Sequence, residues 1–240
     1  SALCLMAALG FSGAAQPPAS AQLLGPEFQV NSYETGYQRT ADVAADAAGG
    51  FIVVWNSTAQ DGSDVGVFGQ RFDASGIPAG SEFQINSYTT GIQIKPMVAA
   101  AGAGEFVVVW AGQNQDGSSY GIFGQRFDAA GLPQGNEFQV NSFTTGVQRA
   151  PAVAADGLGN FIVVWTSDGA DGASWGVFGQ RFSSTGMPQG NEFQVNSFTT
   201  GYQWVPAVAA DASGDFVVVW PSSGQDGPGW GVFGQRFDTT

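Results

Sequence analysis

Residues 51–55 read Phe-Ile-Val-Val-Trp, and the same run returns as Phe106–Trp110, Phe161–Trp165 and Phe216–Trp220. A short apolar run rich in β-branched residues, entered from glycine, asparagine or an acid, describes a strand buried on both faces. Two other strings keep the same 55-residue register: Glu-Phe-Gln at Glu27, Glu82, Glu137 and Glu192, and Gly-Gln-Arg-Phe with its arginine at Arg71, Arg126, Arg181 and Arg236. Three signals in one register mark a repeat architecture whose units bury their faces against each other.

Composition agrees. The 240 residues are 43% hydrophobic and 11% charged, enough apolar material for a sizeable core and too little charge for disorder. Thirty-six glycines among many Val, Phe and Trp point to short strands and tight turns, an all-β chain. The formal charge of -13 would repel a phosphate backbone, so nucleic acid is excluded as a partner.

Residues 1–24 lie outside the repeat. Leu3 to Ala15 is mostly apolar, and Ala19-Ser20-Ala21 offers the small-x-small pattern cut by a signal peptidase, so this segment reads as a signal peptide or N-terminal hydrophobic segment. The apolar stretch is too short for a transmembrane span, and no later segment is long or uniform enough. The expected location is secreted, extracellular or cell-surface, with the periplasm as the alternative. Cys4, the only cysteine, falls in this segment, which leaves no disulfide or thiol chemistry in the mature chain. No Met precedes Ser1, so the chain is expected to be part of a longer polypeptide.

Each unit reads as four strands, taken in the first as Glu27–Ser32, Val43–Ala45, Phe51–Trp55 and Val67–Asp73. Four antiparallel strands in a unit of this size make a blade, and the whole is expected to be a β-propeller of four blades, residues 25–79, 80–134, 135–189 and 190–240. Small residues after Val43, Val98, Val153 and Val208 suit the crowded axis. Because the last unit stops short of its outer strand, two arrangements are open: residues 27–32 complete it and close the ring, or further blades follow Thr240.

The strings GFIVVWNS, GEFVVVWAG, GNFIVVWTS and GDFVVVWPS, each followed by QDG or ADG and then GVFGQRFD or a close variant, resemble repeats of large secreted bacterial proteins labelled haemolysin-like or calcium-binding. The Asp-x-x-Gly-x-Phe turn at Asp46, Asp156 and Asp211 is similar to that of NHL-type propellers. The resemblance covers residues 25–240 and implies a binding or scaffolding module of an extracellular protein. The nine-residue calcium-binding repeat of the toxin group is absent, so a calcium role does not transfer.

Residues that recur identically read as architecture: Glu27 with Arg71 as a cross-strand pair, Gln70 satisfying loop backbone, Trp55 as a packing anchor. Variation concentrates in two longer loops, Tyr33–Asp42 and Asn56–Gly66, which strand alternation places on one end. Candidate ligand-binding residues there are Tyr37, Gln38, Tyr120, Gln148, Trp175, Tyr202, Gln203, Trp204 and Trp230. The Asp-Gly carboxylates Asp61, Asp116, Asp171 and Asp226 are the candidate metal ligands, calcium being the one cofactor such loops would take. Aromatic rings beside amides and carboxylates suit carbohydrate or an extracellular protein.

With no histidine anywhere, triads and imidazole metal sites are excluded. A carboxylate pair could still hydrolyse a glycosidic bond, Asp168 with Asp171 being the least symmetric available. The expected function is therefore a secreted, non-enzymatic binding or adhesion module, the alternatives being a structural spacer of a large surface protein or a propeller glycoside hydrolase.

Overall fold

The computed structural model describes residues 24–239. The proposed signal peptide and Cys4 lie outside the described residues.

Fifteen strands form four antiparallel sheets, with no helix among the described residues. In the first sheet β1 (Gln38–Ala45), β2 (Phe51–Thr58), β3 (Val65–Phe72) and β4 (Phe83–Gln84) lie in chain order. The second repeats this with β5 (Gln93–Ala100), β6 (Phe106–Gln113), β7 (Tyr120–Phe127) and β8 (Pro133–Gln139). The third holds β9 (Gln148–Ala155), β10 (Phe161–Asp168), β11 (Trp175–Phe182) and β12 (Pro188–Gln194). The fourth has three strands, β13 (Ala207–Ala210), β14 (Phe216–Ser223) and β15 (Trp230–Phe237). Each complete sheet takes its outermost strand from the Glu-Phe-Gln string of the next repeat.

The inner strands β1, β5, β9 and β13 pack side by side, and the sheets stand behind them as blades. Side chains alternate across a strand, so one face of each middle strand meets the blade before and the other meets the blade after. Between the third and fourth sheets, Ile162, Val164, Val177 and Val195 meet Phe216, Val218 and Trp220. Equivalent clusters fill the other two junctions. The tryptophans closing the apolar runs, Trp55, Trp110, Trp165 and Trp220, are buried packing anchors. In every sheet the first Phe of the second strand stacks on the last Phe of the third, as Phe161 on Phe182 at 5.0 Å and 11°.

Residues 27–32 do not complete the fourth sheet. Phe28 packs on Phe72 of the first sheet with ring centroids 5.3 Å apart, the relation Phe83 has to Phe127 and Phe138 to Phe182. The segment thus occupies the place of an outer strand preceding the first blade, and the four blades form an open arc. The glutamates do not pair with the arginines either. Glu82, Glu137 and Glu192 accept hydrogen bonds from the backbone N–H and hydroxyl of Ser32, Ser87 and Ser142, fifty residues earlier. Their second oxygens are bonded in the first two cases by the amides of Gln60 and Gln115. The Arg126 guanidinium instead donates to the Thr185 carbonyl on the next blade's turn at 2.9 Å. Gln70, Gln125 and Gln180 each donate to the carbonyl of the following arginine and to that of a glycine ten residues on, as Gln70 does to Arg71 and Gly80.

Candidate functional site

The inner strands begin earlier than the small-residue runs suggest and carry a bulge. The register of β1 on β2 shifts between Arg39 and Asp42, and β5 and β9 repeat the shift. At its centre Thr40, Lys95, Ala150 and Val205 have φ of 50°, 55°, 53° and 44°, the left-handed region that side-chain-bearing residues seldom adopt. A bulge re-aims the residues beside it. Those residues are Arg39, Ile94, Arg149 and Trp204, one of the positions where the repeats differ most.

Parallel bridges Val65–Ile92, Tyr120–Val147 and Trp175–Tyr202 join the two variable loop types of neighbouring sheets, so both emerge at one end of the arc. At the mouth of the junction between the third and fourth sheets they assemble a platform. The Trp175 and Trp204 rings lie within 5° of parallel with centroids 5.7 Å apart. The Arg149 guanidinium carbon caps both, at 4.3 Å and 4.6 Å. All three are half-buried. Strand register explains the grouping. Arg149 pairs with Thr166, and Trp175 pairs with Asp168 two residues further along β10. Paired residues share a face, as do residues two apart, so Arg149, Thr166, Asp168 and Trp175 all face the fourth sheet. Thr166 is fully buried there and its hydroxyl accepts the Val205 N–H at 3.0 Å.

This grouping does not recur. Asp168 corresponds to Thr58, Gln113 and Ser223 in the other sheets, and Trp175 to Val65, Tyr120 and Trp230. Among the described residues, only the junction of sheets three and four pairs a carboxylate, Asp168, with an indole that stacks on a second. Among the described residues, the Asp168 side chain makes no hydrogen bond.

The other sequence candidates divide. The glutamines are structural, not exposed amides: Gln93, Gln148 and Gln203 are fully buried. Gln203 donates to the Thr200 carbonyl and the Ser222 hydroxyl and accepts from Asn196. Gln148 does the same with Thr145 and Asn141, and the half-buried Gln38 donates to Thr35 and Ser57. Tyr37 is exposed under the Arg39 guanidinium at 4.3 Å, on the first sheet and apart from the platform. Tyr120 is half-buried, and burial raises its phenol above the ordinary tyrosine value. Tyr202 borders the platform through its bridge to Trp175. Trp230 stands exposed on the uncovered side of the fourth sheet.

The four Asp-Gly carboxylates do not converge. Each folds onto the glycine of its own third strand, where a Cβ on Gly66, Gly121, Gly176 or Gly231 would lie 2.4–2.9 Å from a carboxylate oxygen. Asp61, Asp116 and Asp171 also accept the N–H two residues on, as in an Asx turn. Among the described residues, no group of three or more His, Cys, Asp or Glu could hold a metal ion. Arg149 is the platform residue that reasoning from loops left out of the candidates; its only trace was a position-by-position change, Arg39, Ile94, Arg149 and Trp204, inside an otherwise repeated strand.

The hollows of the molecule open elsewhere. One of about 240 Å³, lined by Asp156, Asn160, Arg181 and Ser213, lies at the short-turn end of the same junction. Another of about 390 Å³ lies where the fourth sheet lacks its outer strand.

No protein-family model and no curated protein matches the chain by sequence. Solved structures do. An endo-arabinase from Bacteroides thetaiotaomicron superposes with a TM-score of 0.52 at 15% identity, covering 88% of this chain and 80% of its own. The GH93 α-L-arabinofuranosidase of Fusarium graminearum, solved with arabinobiose, gives 0.58 at 13% identity over 85% of this chain and 64% of its own. A protein of unknown function from Dyadobacter fermentans gives 0.57 at 10% identity over 87% and 67%. The chain folds as a β-propeller. These neighbours overturn the expectation of a non-enzymatic module: two of the three are named as an endo-arabinase and an α-L-arabinofuranosidase. The absence of histidine, which argued against an enzyme, is no obstacle to chemistry carried by carboxylates. No helix among the described residues is long and apolar enough to cross a membrane.

Proposed function

We propose that this chain is an exported glycoside hydrolase of the propeller kind that acts on a neutral polysaccharide containing arabinose. The observation that carries the reading is the placement of Asp168 opposite Trp175, beside Trp204, at a single junction of an otherwise repeated frame. Sugar rings present flat patches of C–H that stack on indoles, and Trp175 with Trp204 would hold one while Arg149 fixes the two rings from above. Asp168, free of internal partners, would meet the glycosidic oxygen; Asp171, three residues on, is turned onto Gly176 on the other face of the sheet and holds the Ala173 N–H, so it does not supply the second carboxylate. Such chemistry needs one carboxyl group to protonate the leaving oxygen and another to activate water or attack the anomeric carbon.

The substrate class follows from charge as well as from the structural neighbours' names. A chain of net charge -13 repels acidic glycans, so a neutral arabinan or arabinoxylan fits better than a pectic acid. Export is supported by the apolar segment before residue 22 and by the resemblance of the repeats to secreted bacterial proteins. Calcium on the Asp-Gly loops finds no support in their geometry.

The test is release of reducing sugar from a panel of arabinan, arabinoxylan and xyloglucan. Activity that disappears in Asp168→Asn, with the melting temperature unchanged, supports the assignment. Absence of release from every member by the parent chain overturns it.

A further inference from the structure

We infer that Asp226 and Gly227 form a site of spontaneous backbone modification, where the chain closes to a succinimide and reopens as isoaspartate. The inference is independent of the hydrolase reading. An Asp-Gly peptide carries both reactants in adjacent residues: the glycine nitrogen is the nucleophile, the aspartate Cγ is the electrophile, and glycine puts no side chain between them. The nitrogen gives up its proton and bonds to Cγ, and a carboxyl oxygen leaves as water. Water then opens the ring. Attack at the Asp226 main-chain carbonyl carbon leaves the chain running through the former side chain, one carbon longer, with a free α-carboxylate; attack at Cγ restores aspartate. Nothing is oxidised or reduced, and net charge is unchanged.

The sequence holds six such peptides, at Asp61, Asp116, Asp156, Asp168, Asp171 and Asp226. In five the glycine nitrogen is engaged. Gly62, Gly117 and Gly172 donate to the carbonyls of Ala59, Asn114 and Gly169 at 3.1–3.3 Å, Gly157 to that of Ala212 at 3.3 Å, and Gly169 to that of Ser174 at 2.7 Å. A donated N–H holds the peptide plane against the rotation that attack needs, and the bond must break first. Four of these five carboxylates are tied as well. Asp61, Asp116 and Asp171 each accept the N–H two residues on, and Asp156 accepts those of Leu158 and Asn160. Asp168 is the mixed case, a carboxylate without a partner beside a held amide.

In the loop between β14 and β15 both reactants are free. Pro228 stands where the other Asp-Gly loops have Ser63, Ser118 and Ala173, and a proline nitrogen has no proton to give Asp226. Gly227 has φ of +147°, against +85°, +86° and +80° at Gly62, Gly117 and Gly172. The turn bond from that glycine is gone, and Gly229 instead donates to the Gly227 carbonyl at 2.9 Å. Among the described residues, neither the Gly227 N–H nor the Asp226 carboxylate makes a hydrogen bond. The rest of the loop is conventional: Gly224 donates to the Gly229 carbonyl as Ala59, Asn114 and Gly169 do to Asp64, Ser119 and Ser174. The carboxylate lies against Gly231 as its counterparts lie against theirs, so the difference resides in bonds made within the loop. Ser223, paired with Trp230 at the base of the loop, donates its N–H to the Tyr202 carbonyl at 2.9 Å, and Tyr202 bridges to Trp175. An extra backbone carbon at 226 therefore bears on the edge of the platform.

The full chain, kept at neutral pH and physiological temperature for several weeks, is digested with the endoproteinase that cleaves before aspartate and passes over isoaspartate. A peptide of residues 215–237, uncut at 226, should accumulate roughly tenfold faster or more than the uncut peptide at any of the other five sites. In urea, which frees every amide, the six rates should converge. Pro228→Ser restores the Gln-Asp-Gly-Ser string of the second loop and should slow the reaction at 226 to the rate at 116, with the melting temperature unchanged. Even accumulation over the six sites in the folded chain, none at 226, a lead for 226 that persists in urea, or a Pro228→Ser rate equal to the parent's would each overturn the inference.

Discussion

Asp168 and Trp175 face each other across the β10–β11 ladder, the last pair before the chain turns into the Asp-Gly loop. That pairing sets the most direct functional prediction. Trp175→Ala should raise KM for a polysaccharide by roughly tenfold with kcat little changed, the loss of about one stacking contact. Asp168→Asn should remove kcat instead. Steady-state kinetics on arabinan separates the two.

The four core indoles and the loop indoles should respond differently to truncation. Trp165 is fully buried, and Trp165→Ala should cost about 3–5 kcal/mol in denaturant unfolding. Trp230 is 58% exposed in the described chain, and Trp230→Ala should change stability by no more than about 0.5 kcal/mol.

Gln203 is a buried connector between the third sheet's outer strand and the fourth sheet. Replacing it by Leu strands the Thr200 carbonyl, the Asn196 amide and the Ser222 hydroxyl, and should destabilise by on the order of 3 kcal/mol. Asymmetric loss is expected: Gln38→Leu, at a half-buried position, should cost less, and thermal melts of the pair would compare them.

Gly201 and Gly172 both have positive φ, +77° and +80°, yet only the first is crowded. A Cβ on Gly201 would lie 2.7 Å from the Ser223 carbonyl oxygen, whereas nothing lies within 4 Å of one on Gly172. Gly172→Ala should cost about 1 kcal/mol from backbone strain alone, and Gly201→Ala distinctly more, because the oxygen belongs to backbone that cannot step aside. Urea titration checks the order.

Asp211 accepts the Ser213 hydroxyl and the N–H groups of Ser213 and Asp215, and these bonds hold its carboxyl below the ordinary aspartate value. A depressed folded value contributes stability that is present above the ordinary carboxylate range and is lost as pH falls through the depressed one. Ser213→Ala should move the midpoint back up, as followed by carboxyl-carbon NMR.

The frame of the fold was legible because burial imposes the same demand four times. Phe51–Trp55 and its copies must be apolar on both faces, and the turns at Asp46 and Asp73 need their aspartates and glycines. Three things were not legible. An invariant Gln in a variable loop looks the same whether it faces a ligand or, like Gln148, the core. Opposite charges in fixed register, Glu82 and Arg71, suggest pairing, but the carboxylate finds a backbone N–H and a hydroxyl closer to hand. The left-handed bulge at Ala150 and Val205 uses residues with no preference for that conformation, so nothing in their identity announces it. Its effect, the turning of Arg149 and Trp204 toward one another, is what makes the platform.

Because every complete blade borrows its edge from the repeat that follows, a cut made anywhere in the 55-residue period and rejoined one period later restores the same junction. Unequal recombination between such copies could therefore lengthen or shorten the gene while keeping the strand pairing of every seam. The family of proteins reachable in that way would differ in circumference and in the side chains at each seam, but not in the backbone that makes it.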